Sequence, residues 1–430
     1  METIVALSTP AGNSGVAVIR ISGDNALTIL SKITRSNEEF EPRKMYLKKV
    51  YIQDYSDTCL VVYFRAPFSF TGEDVVEIQS HGGYFLAQQI IKECISHGAS
   101  LAGAGEFSKR AFVNGKISID QAEGIMDLIN AETDAQARIS SNLMQGKLKV
   151  RISEYQTTLT NILAEIEAKL DYPEYDFESD QKDNTKASLQ SLINELNQLI
   201  DDSNNGLLIK NGVKVAIVGS PNVGKSSLLN ALTNSDKAIV TNIAGTTRDI
   251  VEAEYEYRGI IFRLFDTAGI HDSDDIVESI GIERAKKAIE DADIVLRVRD
   301  TLNPCEVETD KPYINIFNKS DLTLEKTDDY LYVSATTREN LDTLKQLIFD
   351  KTVHGDIDSG KLYLTNIRHI ECVKSAIASI TQAINILDYM TMDIVSFELK
   401  NAWLKLGEIS GVYSDENILD AVFSKFCLGK

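Results

Sequence analysis

Long apolar runs are missing. Nowhere in its 430 residues does the sequence reach the roughly 18 consecutive apolar residues of a membrane-spanning helix. The opening METIVALSTPAGNSG lacks the basic stretch and apolar core of a secretory leader. Both absences predict a cytoplasmic protein with no membrane partner. Cysteine is scarce and scattered: Cys59, Cys94, Cys305, Cys372 and Cys427 form no C-x-x-C pair and no zinc-like spacing, which fits a reducing compartment. Positive charge is also short. Lys and Arg number 44 against 64 Asp and Glu, a formal charge of −20. The mean field therefore repels phosphate, so a nucleic-acid partner must be met by a local basic patch. Internal repeats and low-complexity tracts are absent.

What is present is the balance of a folded protein, 43% hydrophobic and 25% charged, in a chain long enough for about two to four domains. Up to about Lys116, short alternating segments such as GVAVIRISGD, CLVVYFRAP and EDVVEIQSHGG read as strands separated by turns. From Ile117 onward glycine and proline thin out. Ile152, Tyr155, Leu159, Ile162, Ile166 and Leu170 trace one face of a long helix that Tyr172-Pro173 should stop. A second run, Leu189 to Leu199, leads to the polar stretch Asp201 to Gly206, which predicts a break and a domain boundary. VKVAIVG then reads as a buried parallel strand, strand and helix alternate to about Asp350, and the helical period returns from Ile370 to Leu406. The expectation is an α/β module inserted into a helical domain; separate helical domains in a row are the alternative.

The module carries chemistry. Gly219 to Ser226, GSPNVGKS, matches G-x-x-x-x-G-K-S after a strand and before the helical LLNAL. Amides of such a loop cradle phosphates, Lys225 reaches the β and γ oxygens, and Ser226 holds Mg²⁺. DTAG, Asp266 to Gly269, follows an apolar strand and can supply a carboxylate toward Mg²⁺ and an amide for the γ-phosphate. In NKSD, Asn318 to Asp321, the Asp can accept both N1–H and N2–H of guanine, and Ala335 in VSA can offer its amide to guanine O6. The order and spacing favour GTP over ATP, which also removes a metabolic kinase. TNIAGTTRD, Thr241 to Asp249, reads as a switch loop whose Thr completes the Mg²⁺ shell, or else as a solvated turn. The position after DTAG, where a water-orienting Gln would be usual, holds Ile270 and His271.

GVAVIRISG, FTGEDVVEIQSHGG, GEFSKRAFVNGKISIDQAE, the loop motifs and the terminal FSKFCLGK together resemble the MnmE (TrmE) family of tRNA-modifying GTPases along nearly the whole chain. The resemblance implies a multidomain α/β plus α fold. Residues 1–116 would be an α+β amino-terminal dimerisation and folate-binding domain, 117–206 and 351–430 the two parts of a helical domain, and 207–350 an inserted Ras-like P-loop G domain. It implies K⁺-stimulated GTP hydrolysis in a homodimer, with Asn222, Thr241, Ile243 and Thr246 around K⁺, Ser226 and Thr247 on Mg²⁺, and Glu278, Lys225 and Asn222 carrying hydrolysis. The residues so assigned to the nucleotide are Asn222, Val223, Gly224, Lys225, Ser226, Ser227, Thr241, Asn242, Ile243, Ala244, Gly245, Thr246, Thr247, Asp266, Thr267, Ala268, Gly269, Asn318, Lys319, Asp321, Ser334 and Ala335.

The activity implied is addition of an aminomethyl or carboxymethylaminomethyl group at carbon 5 of the wobble uridine of certain tRNAs. The family works with MnmG (GidA), which brings FAD, in a heterotetramer, and takes 5-formyltetrahydrofolate or a related folate at positions matching Arg20, Glu77, Lys116 and Lys430. Without the family, Arg20 reads as a strand surface charge beside Val16 and Val18. Cys427 is either an inert small hydrophobe or a tail thiol serving the modification chemistry. The runner-up function is a GTP-driven switch in RNA or ribosome assembly, which has no need of a folate domain or a terminal Cys-Leu-Gly-Lys. Two departures stand out. Asn242 replaces an Asp, and the stretch Val295 to Asn318 is short, with Arg297 and Arg299 where apolar strand residues are usual, so the local fold there is in question.

Overall fold

A computed structural model describes residues 2–171, 179–220, 222–233, 253–266, 287–300, 309–322, 327–353, 360–412, 416–424, 426 and 429. They form two compact units, Met1–Met126 with Asn142–Ala187 and Ser375–Lys430, and Asp127–Ser141 with Ser188–Lys374.

The first unit holds a six-stranded sheet, ordered β3-β4-β5-β2-β1-β6. Its strands are β1 (Ile4–Leu7), β2 (Val16–Ser22), β3 (Met45–Ile52), β4 (Tyr55–Phe64), β5 (Val75–His81) and β6 (Ser100–Leu101). Alternation decides which side is covered. Ala17, Ile19 and Ile21 of β2 and Val76 and Ile78 of β5 pack in one core with Ile29, Leu30, Ile33, Ile90 and Ile91 of the helices Ala26–Thr34 and Tyr84–Ser96. The other residues of β2 and β5, Val18, Arg20 and Glu77 among them, face away. In the same unit the helix Lys147–Asp171 packs on Met392–Ser410, where Trp403 Nε1 donates to Thr160 Oγ1 at 3.1 Å and Lys400 pairs with Glu167 at 2.6 Å.

The second unit is α/β, with sheet order β12-β11-β10-β7-β9-β8. Here β7 (Val213–Val218), β9 (Ile260–Asp266), β10 (Ile294–Arg299), β11 (Tyr313–Phe317) and β12 (Leu331–Tyr332) are parallel, and β8 (Ala253–Tyr257) is antiparallel to β9. The chain runs to one side of β7 and then to the other, which makes the carboxyl end of β7 the switch point where open α/β sheets bind ligands. The fold class read from the sequence therefore holds: an α+β amino-terminal domain, a helical portion and a Ras-like P-loop module.

Two local expectations are settled differently. The polar stretch Asp201 to Gly206 does not break the chain, because the helix Ser179–Asn211 runs through it and stops at Gly212, φ +74°. Two of its polar side chains find partners inside the helix and beside it: Ser203 Oγ donates to Leu199 O and accepts Leu364 N at 3.0 Å, Asp202 pairs with Lys361 at 2.7 Å, and Gly206 leaves room for Tyr363. The short stretch after Val295 keeps its strands, β10 and β11 pairing in register from Val295 opposite Tyr313 to Arg299 opposite Phe317. The two arginines find aromatic faces, Arg297 over Tyr313 at 3.8 Å and Arg299 over Tyr330 at 3.3 Å, so the guanidinium groups replace the expected apolar contacts. Residues 127–141 join this unit too, Ala135 and Ile139 sharing a core with Ile209, Val213 and Phe262.

Candidate functional site

Strand β7 is buried along nearly its whole length and is followed by Gly219, where a Cβ would lie 2.1 Å from Val298 O. Only glycine lets the chain leave the sheet so close to β10. The loop then passes through Asn222 at φ +65° and Gly224 at φ +88°, where a Cβ would meet Asn318 Nδ2 at 2.4 Å. The helix Lys225–Thr233 follows, its buried face Leu228, Leu229 and Leu232 anchoring it to the core while Ser226 and Ser227 stay exposed. A glycine-bounded loop feeding a helix amino terminus presents N–H groups and a partial positive charge, the arrangement that receives a phosphate. Lys225 is 5% exposed, and its Nζ donates to Gly219 O at 2.8 Å and Ser220 O at 2.9 Å, which holds the ammonium over the loop.

The neighbouring strand ends close around this loop. Asn318, after β11, is buried; its Nδ2 donates to Val223 O at 2.9 Å and its Oδ1 accepts Ala335 N at 3.3 Å. Lys319 at φ +60° extends over the loop, donating to Asn222 O at 3.0 Å and pairing with Asp300 at 2.6 Å. Asp321 lies exposed in the short turn Ser320–Leu322, and Ser334 is fully buried, its backbone N donating to Glu339 O at 3.2 Å. Asp300 and Glu339, which brace Lys319 and Ser320, escaped the sequence reading because no motif marks them. Asp266 closes β9 with its backbone opposite Ile217. Thr241, Asn242, Ile243, Ala244, Gly245, Thr246, Thr247, Thr267, Ala268, Gly269, Glu278, Cys427 and Lys430 lie outside the described residues.

A second cluster sits on the other face of the amino-terminal sheet, where Phe107 packs on Ile4 and Ala6. Arg20 on β2 stands directly opposite Glu77 on β5, and its Nε and Nη2 donate to Glu77 Oε1 at 2.9 and 2.7 Å. Rings of Phe70 and Phe107 lie 5.8 and 5.7 Å from the guanidinium. The carboxyl-terminal tail arrives here as well. Gly429 O accepts Ser8 Oγ at 3.1 Å and Arg20 Nη1 at 3.3 Å, and a Cβ on Gly429 would lie 2.3 Å from Leu7 O. Lys116 instead donates to Pro67 O at 2.9 Å. The described thiols Cys59, Cys94 and Cys372 are buried, and burial pushes Cys94 up to about 12, so none of these is a ready nucleophile. Among the described residues no group of three or more His, Cys, Asp or Glu could hold a metal ion, and no helix is long and apolar enough to cross a membrane.

Comparison with known proteins bears on the whole chain. The family description "MnmE helical domain" matches residues 119–427, and "GTP-binding protein TrmE N-terminus" matches 3–116. The tRNA modification GTPase MnmE of Clostridioides difficile is 38% identical, the alignment covering 100% of this chain and 99% of that one. MnmE of Streptococcus thermophilus is 38% identical over 100% of this chain and 98% of its own. Among solved structures, the G domain of T. maritima FeoB is 30% identical, covering 33% of this chain and 99% of that one, with a TM-score of 0.24.

Proposed function

The chain belongs to the MnmE family of tRNA modification GTPases, and from that premise we propose that it hydrolyses GTP with Mg²⁺ and K⁺ and couples this to modification at carbon 5 of a tRNA wobble uridine. The observation that carries the reading is the brace at the end of β7, in which one buried Asn318 ties the phosphate loop to the Ser334–Ala335 turn that would meet guanine. A loop so fixed can offer its N–H groups without reorganising, which is where electrostatic catalysis gains most.

Of the residues assigned to the two cations, Ser226 and Asn222 are described, and their placement supports the reading. Gly219 and Gly224 leave a cradle that a Cβ would fill, Ser226 offers an exposed hydroxyl at the first helical turn, and Asn222 is exposed on the loop above it. Ser226 with Thr247 would hold Mg²⁺, and Asn222 with Thr241, Ile243 and Thr246 would hold K⁺. When bound, these ions supply positive charge to the phosphate oxygens as the β–γ bridge breaks. Lys225 adds its ammonium from the loop side, Asp321 selects guanine, and Glu278 orients water.

By segment, 1–116 would hold the dimer and the folate, 207–350 the nucleotide, and 117–206 with 351–430 the helical frame. The Arg20–Glu77 pair beside the exposed ring of Phe70 supports a folate site, since a pterin needs both a stacking surface and paired donors and acceptors. Lys116, Lys430 and Cys427 belong to the same proposal, with MnmG supplying FAD in a heterotetramer. On β3 and β4 the same sheet face exposes Met45, Leu47 and Leu60, an apolar surface suited to a second copy of the chain. A GTP switch in RNA or ribosome assembly would have no use for the Arg20 cluster.

GTP hydrolysis by the full chain in KCl and in NaCl at equal ionic strength tests the reading, with Asn222→Ala and Glu278→Ala alongside. Strong K⁺ stimulation lost in both variants is expected. Equal slow rates in the two salts would remove the cation-assisted mechanism, and unmodified wobble uridine after incubation with MnmG, folate and tRNA would remove the modification.

A further inference from the structure

The chain is acidic overall, so a tRNA partner must be received where cations escape their carboxylates. Loop 65–72, between β4 and β5, is such a place. Phe68 at its tip is 70% exposed, an unusual position for a large ring unless something covers it. Arg43, Arg65 and Lys116 surround the loop. Arg43 Nη2 donates to Phe68 O at 3.2 Å, Lys116 Nζ to Pro67 O at 2.9 Å, and Arg65 O accepts Phe68 N at 2.8 Å. Among the described residues none of these three cations has a carboxylate within ion-pair distance. The nearby lysines of the same sheet edge differ, since Lys44 pairs with Glu41 at 2.6 Å and Lys48 with Glu38.

The loop is also rigidly built. Asp74 Oδ1 accepts Ala66 N and Tyr63 Oη, both at 2.8 Å, Asn114 Nδ2 donates to Thr71 O at 2.7 Å, and Ser69 Oγ bonds Glu73 O. The acids of the loop's base are thereby consumed, Asp74 by these bonds and Glu73 by Ser22 and Arg110. Two residues beyond Phe68, Phe70 turns toward the Arg20 guanidinium, so one loop spans from the Arg20–Glu77 cluster to the exposed ring.

We propose that this loop is an RNA-binding platform: Phe68 stacks an unpaired base of an anticodon loop while Arg43 and Arg65 contact its phosphates. Sequence-specific RNA recognition favours loops whose bases can be splayed onto aromatic side chains, and a pre-ordered ring beside unpaired cations is the chemistry that does so. The platform places that base on the same loop as Phe70, whose ring lies against the cluster assigned above to the one-carbon donor. The inference rests on the tRNA reading given above and locates the surface that reading needs.

The test is binding of the full chain to a fluorescent anticodon stem-loop and to whole tRNA, as a function of salt, for wild type, Phe68→Ala, Phe68→Trp and Arg65→Gln. Phe68→Ala should weaken binding about tenfold or more, and Phe68→Trp should restore it, because stacking needs a ring rather than a particular one. Arg65→Gln should weaken binding uniformly and lower the slope of log K against log salt by about one. Melting temperature and GDP affinity of each variant report whether it has folded. Wild-type affinity in Phe68→Ala would overturn the platform while leaving the tRNA reading intact. Loss of self-association in Phe68→Ala with RNA binding unchanged would make the loop a protein contact instead. Absence of tRNA binding by the wild type would overturn both readings together.

Discussion

Asn318 reaches from the end of β11 to Val223 in the phosphate loop, its Nδ2 donating to that carbonyl at 2.9 Å. Because its Oδ1 also accepts Ala335 N, truncation to Ala would strand a buried carbonyl and an amide at once. An unsatisfied buried polar group costs about 1–3 kcal/mol. Asn318→Ala should therefore lower the melting temperature without nucleotide and weaken GDP binding at least about tenfold. Unchanged melting and an unchanged titration with a fluorescent GDP would show that the brace is incidental.

Gly224 is constrained twice, by φ +88° and by Asn318 Nδ2 at 2.4 Å from where a Cβ would stand. Gly115, at φ +67°, has nothing within 4 Å of its Cβ position. Gly115→Ala should carry only the left-handed backbone strain, about 1–2 kcal/mol, and leave nucleotide binding alone. Gly224→Ala must also displace Asn318 and should abolish GDP binding in the same titration. Equal losses in both variants would mean that backbone conformation, and not the close approach, decides.

Gly219 and Gly224 show why the phosphate loop was legible in the sequence. Close backbone approach leaves no alternative residue type, so the spacing itself records the geometry. The buried run of β7 and the apolar period of the helix Lys147–Asp171 were legible for the same kind of reason. What escaped depends on contacts remote in sequence. Nothing in GVAVIRISG reveals that Arg20 would stand opposite Glu77, since register between strands 57 residues apart is set by the sheet as a whole. Helical periodicity likewise marks the apolar face of Ala135 and Ile139 without saying which body covers it, and they pack with the α/β core. The run Asp201 to Gly206 has the composition of a loop, yet Ser203 and Asp202 find partners that keep the helix whole.

Asp57 offers a pH test in the amino-terminal unit. Burial alone would raise its carboxyl, but the His81 backbone N–H at 3.0 Å, the imidazole at 2.6 Å and the Cys59 thiol hold it below the usual 3.8. A carboxylate depressed on folding contributes stability above its unfolded value and loses it as pH falls through the folded one. The stability gap between wild type and Asp57→Asn should thus shrink as pH falls below 3.8. Urea unfolding across that range measures it. A gap that persists at low pH would show that the contact does not depend on the charge of Asp57.

The Arg20–Glu77 pair should behave as a coupled unit in both stability and ligand binding. The two side chains are only 20% and 19% exposed, so removing either leaves its partner half-buried and without its counter-charge. Glu77→Gln keeps the shape and loses the charge, while Arg20→Met keeps the stem and loses the guanidinium, together with its bond to Gly429 O. Each single variant should be less stable than wild type, and the double variant should be less damaged than the sum, with a coupling on the order of 0.5–3 kcal/mol. Titration with 5-formyltetrahydrofolate should show weakened binding in all three, because a ligand that uses both groups loses its contact whichever partner is removed. Additive stabilities would mean the pair is not a unit. Undiminished folate binding in the double variant would place the one-carbon donor elsewhere and leave the cluster as a clasp for the carboxyl-terminal tail.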